Sequence, residues 1–250
     1  MWYTFLHTDP HFKTWSGKRF DYQGQCDIIL VSNSKLSLHV RTMIEKQYSS
    51  VSHAALAIGD EVLEVSGHGT YLLNKIDTRG PPTHVGGHVI EHDRQCLGKL
   101  GKDNCAELLT VRIGEDDSIT FRVYKDILHV TLSGSAYNFA HSTGLMGDYN
   151  TGAMVGRDGV TVFADVDEYV QEWQVRGSDP QLFNTLTSPQ HPETCLAPAK
   201  THRRLGESLM AKAAATACDK VADPEEKENC MYDVVSTGDI EMAKEYLFDA

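Results

Sequence analysis

Short apolar runs, broken every few positions by polar or turn-forming residues, fill the chain from about residue 20 to about residue 175. "KLSLHVRTMI" (35–44) alternates, the period-2 signature of a half-buried strand. "CDIILVS" (26–32) carries Ile28, Ile29 and Leu30 without a polar gap and reads as a buried strand. "HAALAIGDEVLEVSG" (53–67) reads as two strands about Gly59-Asp60, and "LLTVRIGEDDSITFRVY" (108–124) as a hairpin turning at Gly114 to Asp117. "KDILHVTLSG" (125–134) adds another strand. Nearer the start, "WSGKRF" places Gly17 in a tight turn between Trp15 and Phe20. Pro10 has no N–H to donate, so it suits an edge or the first residue of a strand. "DTRGPPTHVGG" (77–87) is a predicted loop, because Pro81 and Pro82 cannot sit inside a ladder. Repeated short strands with turns between them predict a mainly β, sandwich-like domain.

The pattern changes after residue 175. Prolines at 180, 189, 192 and 198 mark a connector. "RRLGESLMAKAAATACDKV" (203–221) is rich in Ala, Leu and Lys and predicts a helix. In "ADPEEKENCMYDVV" (222–235), Asp223 can cap a helix and Pro224 fits its first position, while Glu225 and Glu226 suit the positive end of its dipole. "STGDIEMAKEYLF" (236–248) predicts a third helix after Gly238. The expected organisation is a β domain over 1–175, a Pro-rich connector over 176–200 and a small helical unit over 201–250, with no internal repeat.

Composition narrows the function. With 250 residues, 41% of them apolar, the chain can bury a sizeable core. A formal net charge of −12 argues against a nucleic-acid partner, which requires basic faces. No run of eighteen apolar residues is present, so membrane insertion is not expected. "MWYTFLH" is too short, and lacks the basic start, for a secretory signal, and the expectation is a domain trimmed from a larger protein. Six cysteines with neither Cys-x-x-Cys nor a Cys-His zinc spacing favour disulfides and an oxidising compartment; six reduced thiols in a cytosolic protein are the alternative. No Asn-x-Ser/Thr sequon adds support for secretion.

Three segments in order give the chain a family likeness. The first is Asp9, Pro10, His11 and Phe12, followed by Gly17, Phe20, Tyr22, Gly24 and Cys26. The second is "GLMGDYNTGAMVGRDG" (144–159), and the third is "EWQV" (172–175). Together they resemble the von Willebrand factor type D domain over roughly residues 8 to 195. The tail over 213–239 resembles the cysteine-paired helical module that often follows such domains, with fewer cysteines. Thr8 stands where the family usually has Gly, and Met146 where it has Cys, without the upstream Cys that would pair there. Thr143 and Met146 also occupy the places of the Cys-x-x-Cys tied to redox-driven assembly in multimerising relatives, so disulfide-linked polymerisation through this segment is not expected.

The resemblance implies chemistry that local reading leaves open. Asp148, Asn150 and Asp158 are closely spaced hard-oxygen donors among glycines, but their spacing is not that of an EF-hand, and on spacing alone an ordinary Asp/Asn/Gly turn is the favoured reading. The resemblance implies a structural Ca²⁺ site in which Asp9 joins Asp148, Asn150 and Asp158, with backbone carbonyls of 151–157 completing the shell. It also implies the pairing Cys26–Cys195, beside which Cys96–Cys105 would close a short loop and Cys218–Cys230 would join two helices. His84, His88 and His92 are four apart, but Gly86, Gly87 and the prolines argue against a helix, and a solvated strand face is favoured. "SGSAY" (133–137) lacks the Gly-x-Ser-x-Gly elbow, and Cys26 has no base placed for it, so no catalytic residue is assigned. The function expected is a non-enzymatic extracellular or cell-surface structural and interaction module. Its partners would be other extracellular or surface proteins, or neighbouring domains of a longer chain. Self-processing at Asp9-Pro10 and a small-molecule carrier with a pocket between the sheets are the alternatives. With Thr8 in place of Gly, an intact Asp9-Pro10 bond at neutral pH is expected.

Overall fold

The structure is a computed structural model that describes residues 2–7, 10–45, 48–97, 105–184, 194–197 and 209–248. Within them, two antiparallel sheets share the strands. The six-stranded sheet is a simple meander of β4 (Cys26–Ser32), β5 (Leu36–Glu45), β6 (Tyr48–Ile58), β7 (Glu61–Ser66), β8 (Tyr71–Leu73) and β9 (Ile76–Asp77). The eight-stranded sheet takes β1 (Trp2–His7), β2 (His11–Lys13) and β3 (Arg19–Asp21) from the start of the chain. It completes itself with β10 (His84–Val85), β11 (His88–Cys96), β12 (Cys105–Arg112), β13 (Ser118–Tyr124) and β14 (Ile127–Gly134). Its order is β10-β11-β12-β13-β14-β1-β2-β3. The fold is mainly β, as the alternation predicts.

Turns fall where the sequence marks them. The N–H groups of Ile113 and Gly114 both donate to the Asp117 carbonyl at the β12–β13 turn. The predicted loop over 77–87 differs slightly, since its end forms the short strand β10. Gly86 and Gly87 take φ of 55° and 79°, and Val85 pairs directly with His88, so two left-handed residues close a tight hairpin there.

Strand alternation sorts β13 and β14 into two faces. Ile119, Phe121 and Val123, with Leu128, Val130 and Leu132, enter the core that both sheets share with Ile28, Leu38 and Leu56. Arg122, Tyr124, Ile127 and His129 point to the opposite face of the eight-stranded sheet, and all four are buried. The helical unit covers them. It comprises α3 (Leu209–Ala217) and α4 (Pro224–Thr237), which follow the short helices α1 (Ala136–Phe139) and α2 (Val166–Glu172) of the β domain, plus 3-10 turns over Cys218–Lys220 and Ile240–Leu247.

The start of α4 is built as the sequence predicts. The Asp223 side chain accepts from Glu225 N and Glu226 N, Pro224 stands in the first turn, and Gly238 ends the helix at φ 72°. The third helix is a 3-10 helix over Ile240–Leu247. A three-residue period stacks i and i+3 side chains, and here it buries Met242 with Glu245 and Ala243 with Tyr246.

Ionic contacts fasten this unit to the sheet. Glu245 accepts from Arg122 Nε and Nη2 at 3.1 and 3.0 Å, and His129 lies 3.3 Å from it and also contacts Arg122. His11 Nδ1 is 2.6 Å from Asp21 Oδ1, and its Nε2 is 3.4 Å from Asp233 Oδ1. Asp233 accepts from the Tyr246 hydroxyl at 2.6 Å. Both nitrogens of His11 thus face carboxylates, and only a protonated ring can donate to both. Burial pushes the His11 pKa down, but the bonds to Asp21 and Asp233 and their charges outweigh it and raise it to about 10. Burial of Asp233 raises its pKa, and the bonds from His11 and Tyr246 oppose that rise.

Three disulfides complete the frame: Cys26–Cys195, Cys96–Cys105 and Cys218–Cys230. The first spans 169 residues, and in the chain-entropy model closing so long a loop contributes on the order of 5 kcal/mol.

The His11 geometry has a signed pH consequence. Its folded pKa lies above the ordinary histidine value, so its stabilisation is complete below about pH 6.5 and is lost as pH rises through about 10. The unfolding free energy of the native chain should fall by up to a few kcal/mol across that window. In His11→Gln the slope should be largely absent, measured by urea unfolding at a series of pH values.

Candidate functional site

The segment 142–162 builds the loop cleft on which the sequence places most of its candidate donors. Gly144 carries it across β4, whose free edge it pairs with. Thr143 exchanges both backbone bonds with Ser32, Leu145 N donates to Ile29 O and Met146 N to Leu30 O. At Gly144 φ is 132°, and a Cβ there would stand 2.3 Å from the Leu30 carbonyl oxygen. Only glycine lets the loop lie this close to the strand. Met146 is 1% exposed and packs in the core.

Beyond Gly147 the chain makes two successive turns of one design. Asp148 Oδ1 accepts from Asn150 N at 3.1 Å, Thr151 N at 2.7 Å and Thr151 Oγ1 at 2.7 Å. Asp158 repeats this, accepting from Val160 N at 2.9 Å, Thr161 N at 2.8 Å and Thr161 Oγ1 at 2.6 Å. The bond from the Thr151 hydroxyl, helped by the Thr151 and Asn150 N–H groups, holds the Asp148 carboxyl below its usual range. The Thr161 hydroxyl and the N–H groups of Val160 and Thr161 bring Asp158 down to about 2. Both acids are therefore ionised at neutral pH. The signal missed in the sequence is that "DYNT" and "DGVT" are the same Asp-x-x-Thr turn, in which side-chain and backbone donors converge on one carboxylate.

A cleft of about 450 Å³ opens between these turns, lined by Asp148, Thr151, Gly156, Val160 and Trp173 among others. Of the three donors only Asp148 lines the cleft; Asn150, on the same first turn, and Asp158, on the second, stand outside its lining. Asn150 donates its amide to Ala140 O at 3.0 Å. Asp148 Oδ2 and Asn150 Oδ1 accept no hydrogen bond from a described residue, which leaves two hard oxygens open on one turn. The carbonyls of Gly152, Ala153, Met154, Val155 and Gly156 each already accept a bond within the fold. The donor types suit a hard cation such as calcium, and Asp148 with Asn150 fit it best. Among the described residues no three His, Cys, Asp or Glu side chains converge as a metal cluster. Asp9, with Thr8 and the Asp9-Pro10 bond, lies outside the described residues.

The opening stretch nevertheless reaches this loop. Trp15 N donates to Met146 O at 3.1 Å, and Ser16 Oγ donates to Gly152 O at 3.1 Å across 136 residues of sequence. The Trp15 ring is 1% exposed and packs against Phe139 and Tyr149, each with ring centroids 5.1 Å away. The third segment closes the group, for Trp173 Nε1 donates to Val155 O at 3.2 Å and Trp173 O accepts from Ile29 N. The histidines at 84, 88 and 92 stay apart from this site. His92 Nε2 pairs with Glu107 at 2.5 Å, His88 Nδ1 with Arg112 O at 2.9 Å and His84 Nδ1 with Thr83 Oγ1 at 3.1 Å. Neither a protein-family model nor a curated protein sequence matches the chain.

The Gly144 crossing is open to a direct check. Gly144→Ala should destabilise the chain by about 3 kcal/mol, because the methyl meets backbone that cannot rotate away. Thermal unfolding of the two proteins side by side measures it.

Proposed function

We propose that this chain is a non-enzymatic extracellular structural and interaction module, a von Willebrand factor type D-like β domain with a helical appendage and a structural calcium site. The observation that carries the reading is the contact of Trp15 and Ser16 with Met146 and Gly152. These residues belong to two of the three segments that resemble the family, and Trp173 of the third donates to Val155 of the same loop. Three disulfides suit an oxidising, extracellular setting, and no helix of the described residues is long and apolar enough to cross a membrane. Partners on this reading are neighbouring domains of a longer chain or other surface proteins.

Asp148 and Asn150 would hold the ion from the first turn, with Asp9 and Asp158 approaching from the opening segment and the second turn. Calcium, when bound, supplies a cross-link between segments distant in sequence. The turn bonds from Thr151 and Thr161 keep both carboxylates ionised and oriented without it. Binding to the folded state alone stabilises it by RT ln(1 + [L]/Kd), about 2.7 kcal/mol at a hundredfold excess over Kd.

The test compares melting in calcium with melting in chelator. Native protein should melt several degrees higher in calcium, and Asp148→Ala should show no difference between the two conditions. Identical melting of the native protein in both, with no heat of binding by calorimetry, would falsify the calcium reading.

A further inference from the structure

The contact between the sheet and the helical unit has one polarity. On the sheet side stand His11, Arg19, Arg122, Lys125 and His129; on the helical side stand Asp223, Glu225, Glu226, Asp233, Asp239 and Glu245. Arg19 Nη1 lies 2.9 Å from Glu226, 3.4 Å from Glu225 and 3.5 Å from Asp223. Lys125 Nζ lies 2.9 Å from Asp239. With the Arg122, His129 and His11 contacts already described, every one of these cross-contacts pairs a sheet cation with a helical anion. In a chain of net charge −12, a face that gathers cations, buried at its centre and exposed at its rim, is a specific feature, not a reflection of composition.

No covalent bond between side chains holds the two parts together. Cys218–Cys230 lies within the helical unit, Cys96–Cys105 lies within the β domain, and Cys26–Cys195 ties the β domain to the connector that follows it. The helical unit also keeps an apolar cluster of its own, including Ala214, Val221, Val234 and Met242. Among the described residues, apolar and ring contacts across the boundary include Ile127 with that cluster, Phe248 with Tyr124 and Ala106, and the His11 ring edge-on to Tyr232. From Ala197 to Leu209 the main chain can span at most about 40 Å.

We propose that this cationic face is an exchange interface, on which the anionic helical unit of a second copy of the chain docks in place of the chain's own. The dimer would hold two reciprocal contacts, each chemically the same as the one within a single chain, so charge complementarity is kept in full. Tethering gives the chain's own unit an effective concentration of millimolar order, which favours the monomer when the protein is dilute. The exchange requires neither calcium nor the type D resemblance.

The test uses two full-length variants altered at the rim of the interface. Arg19→Glu with Lys125→Glu makes the sheet side anionic there, and Glu226→Lys with Asp239→Lys makes the helical side cationic. Within either variant like charges meet. Only between the two variants do opposite charges meet in both directions.

Mixed in equal amounts at low salt, the variants should give a 1:1 dimer by native mass spectrometry and light scattering. It should be at least tenfold more abundant than any dimer of either variant alone, and about 0.5 M salt should weaken it. A mixture that stays monomeric, or dimers that form equally well from each variant alone, would overturn the proposal. Should either variant fail to fold, the native protein decides. Held at millimolar concentration in high salt and returned to low salt, it should yield a dimer that reverts slowly on dilution; a monomer throughout would overturn the proposal as well.

Discussion

Strand β4 has one free edge, and the β domain is arranged around covering it. An uncovered edge is a row of unpaired N–H and C=O groups and a template for wrong pairing. On its other side β4 pairs with β5, so the covering must come from elsewhere. Three segments supply it in succession. Leu196 exchanges bonds with Gln25, Trp173 and Val175 pair with Ile29 and Asp27, and Thr143 to Met146 pair with Ser32 to Ile29. Each lies more than a hundred residues further along the chain. The Cys26–Cys195 bond sits at the end of this edge and holds the last segment in place. The candidate site depends on the same arrangement, for the Asp148 turn begins as the 143–146 segment leaves β4.

The outer face of the six-stranded sheet shows how the segments after Trp173 stay down. Asp27 and Arg41, side by side on β4 and β5, form a bidentate pair with both bonds at 2.7 Å, and each is 3% exposed. Phe183 lies over the Arg41 guanidinium at 4.4 Å, and Asn184 N donates to Glu64. A paired charge buried by an aromatic ring is costly to separate from its partner, and its planar fork fixes register more sharply than apolar contact would. The stretch read from its prolines as a connector is thus, over 182–184, part of the packing of the sheet.

How much of this was legible in the sequence follows from the range of each interaction. Period-2 alternation is local, and it located β5, β6, β7, β12, β13 and β14 with their turns. Capping is local too, and Asp223, Pro224 and Gly238 marked α4 correctly. The 3-10 form of 240–247 was not legible, because the side chains it buries, Met242, Glu245 and Tyr246, meet α3, α4 and the sheet through tertiary contacts that no local rule reaches. The burial of Arg122 and His129 was hidden for the same reason: on alternation alone they belong to a solvated face. His11 was noticed as part of Asp-Pro-His, but its partner Asp233 lies 222 residues away, and no spacing rule reaches that far. At the candidate site, Asp148, Asn150 and Asp158 stood out by residue type. Their division between two turns was written in Thr151 and Thr161, three positions after each acid.

Two kinds of fastening therefore divide the molecule. Inside the β domain, backbone ladders, an apolar core and a long-range disulfide act together, and loosening one leaves the others in place. Between the sheet and the helical unit, the buried pairs of Arg122 and His129 with Glu245 and of His11 with Asp233 act beside exposed pairs at the rim and a set of apolar and ring contacts. Such pairs offset their own desolvation only while the geometry is kept, so they add little net stability and much specificity. When one partner leaves, the other remains as a buried charge unless water enters, which makes separation cooperative. Asp233 and Glu245, both wholly buried on the helical side, would have to be hydrated together with His11, Arg122 and His129. The unit is then either docked in a single register or away from the sheet, with little populated between. A domain held rigid along β4 and an appendage held by charge is an arrangement in which one part can keep its shape while the other changes its neighbour.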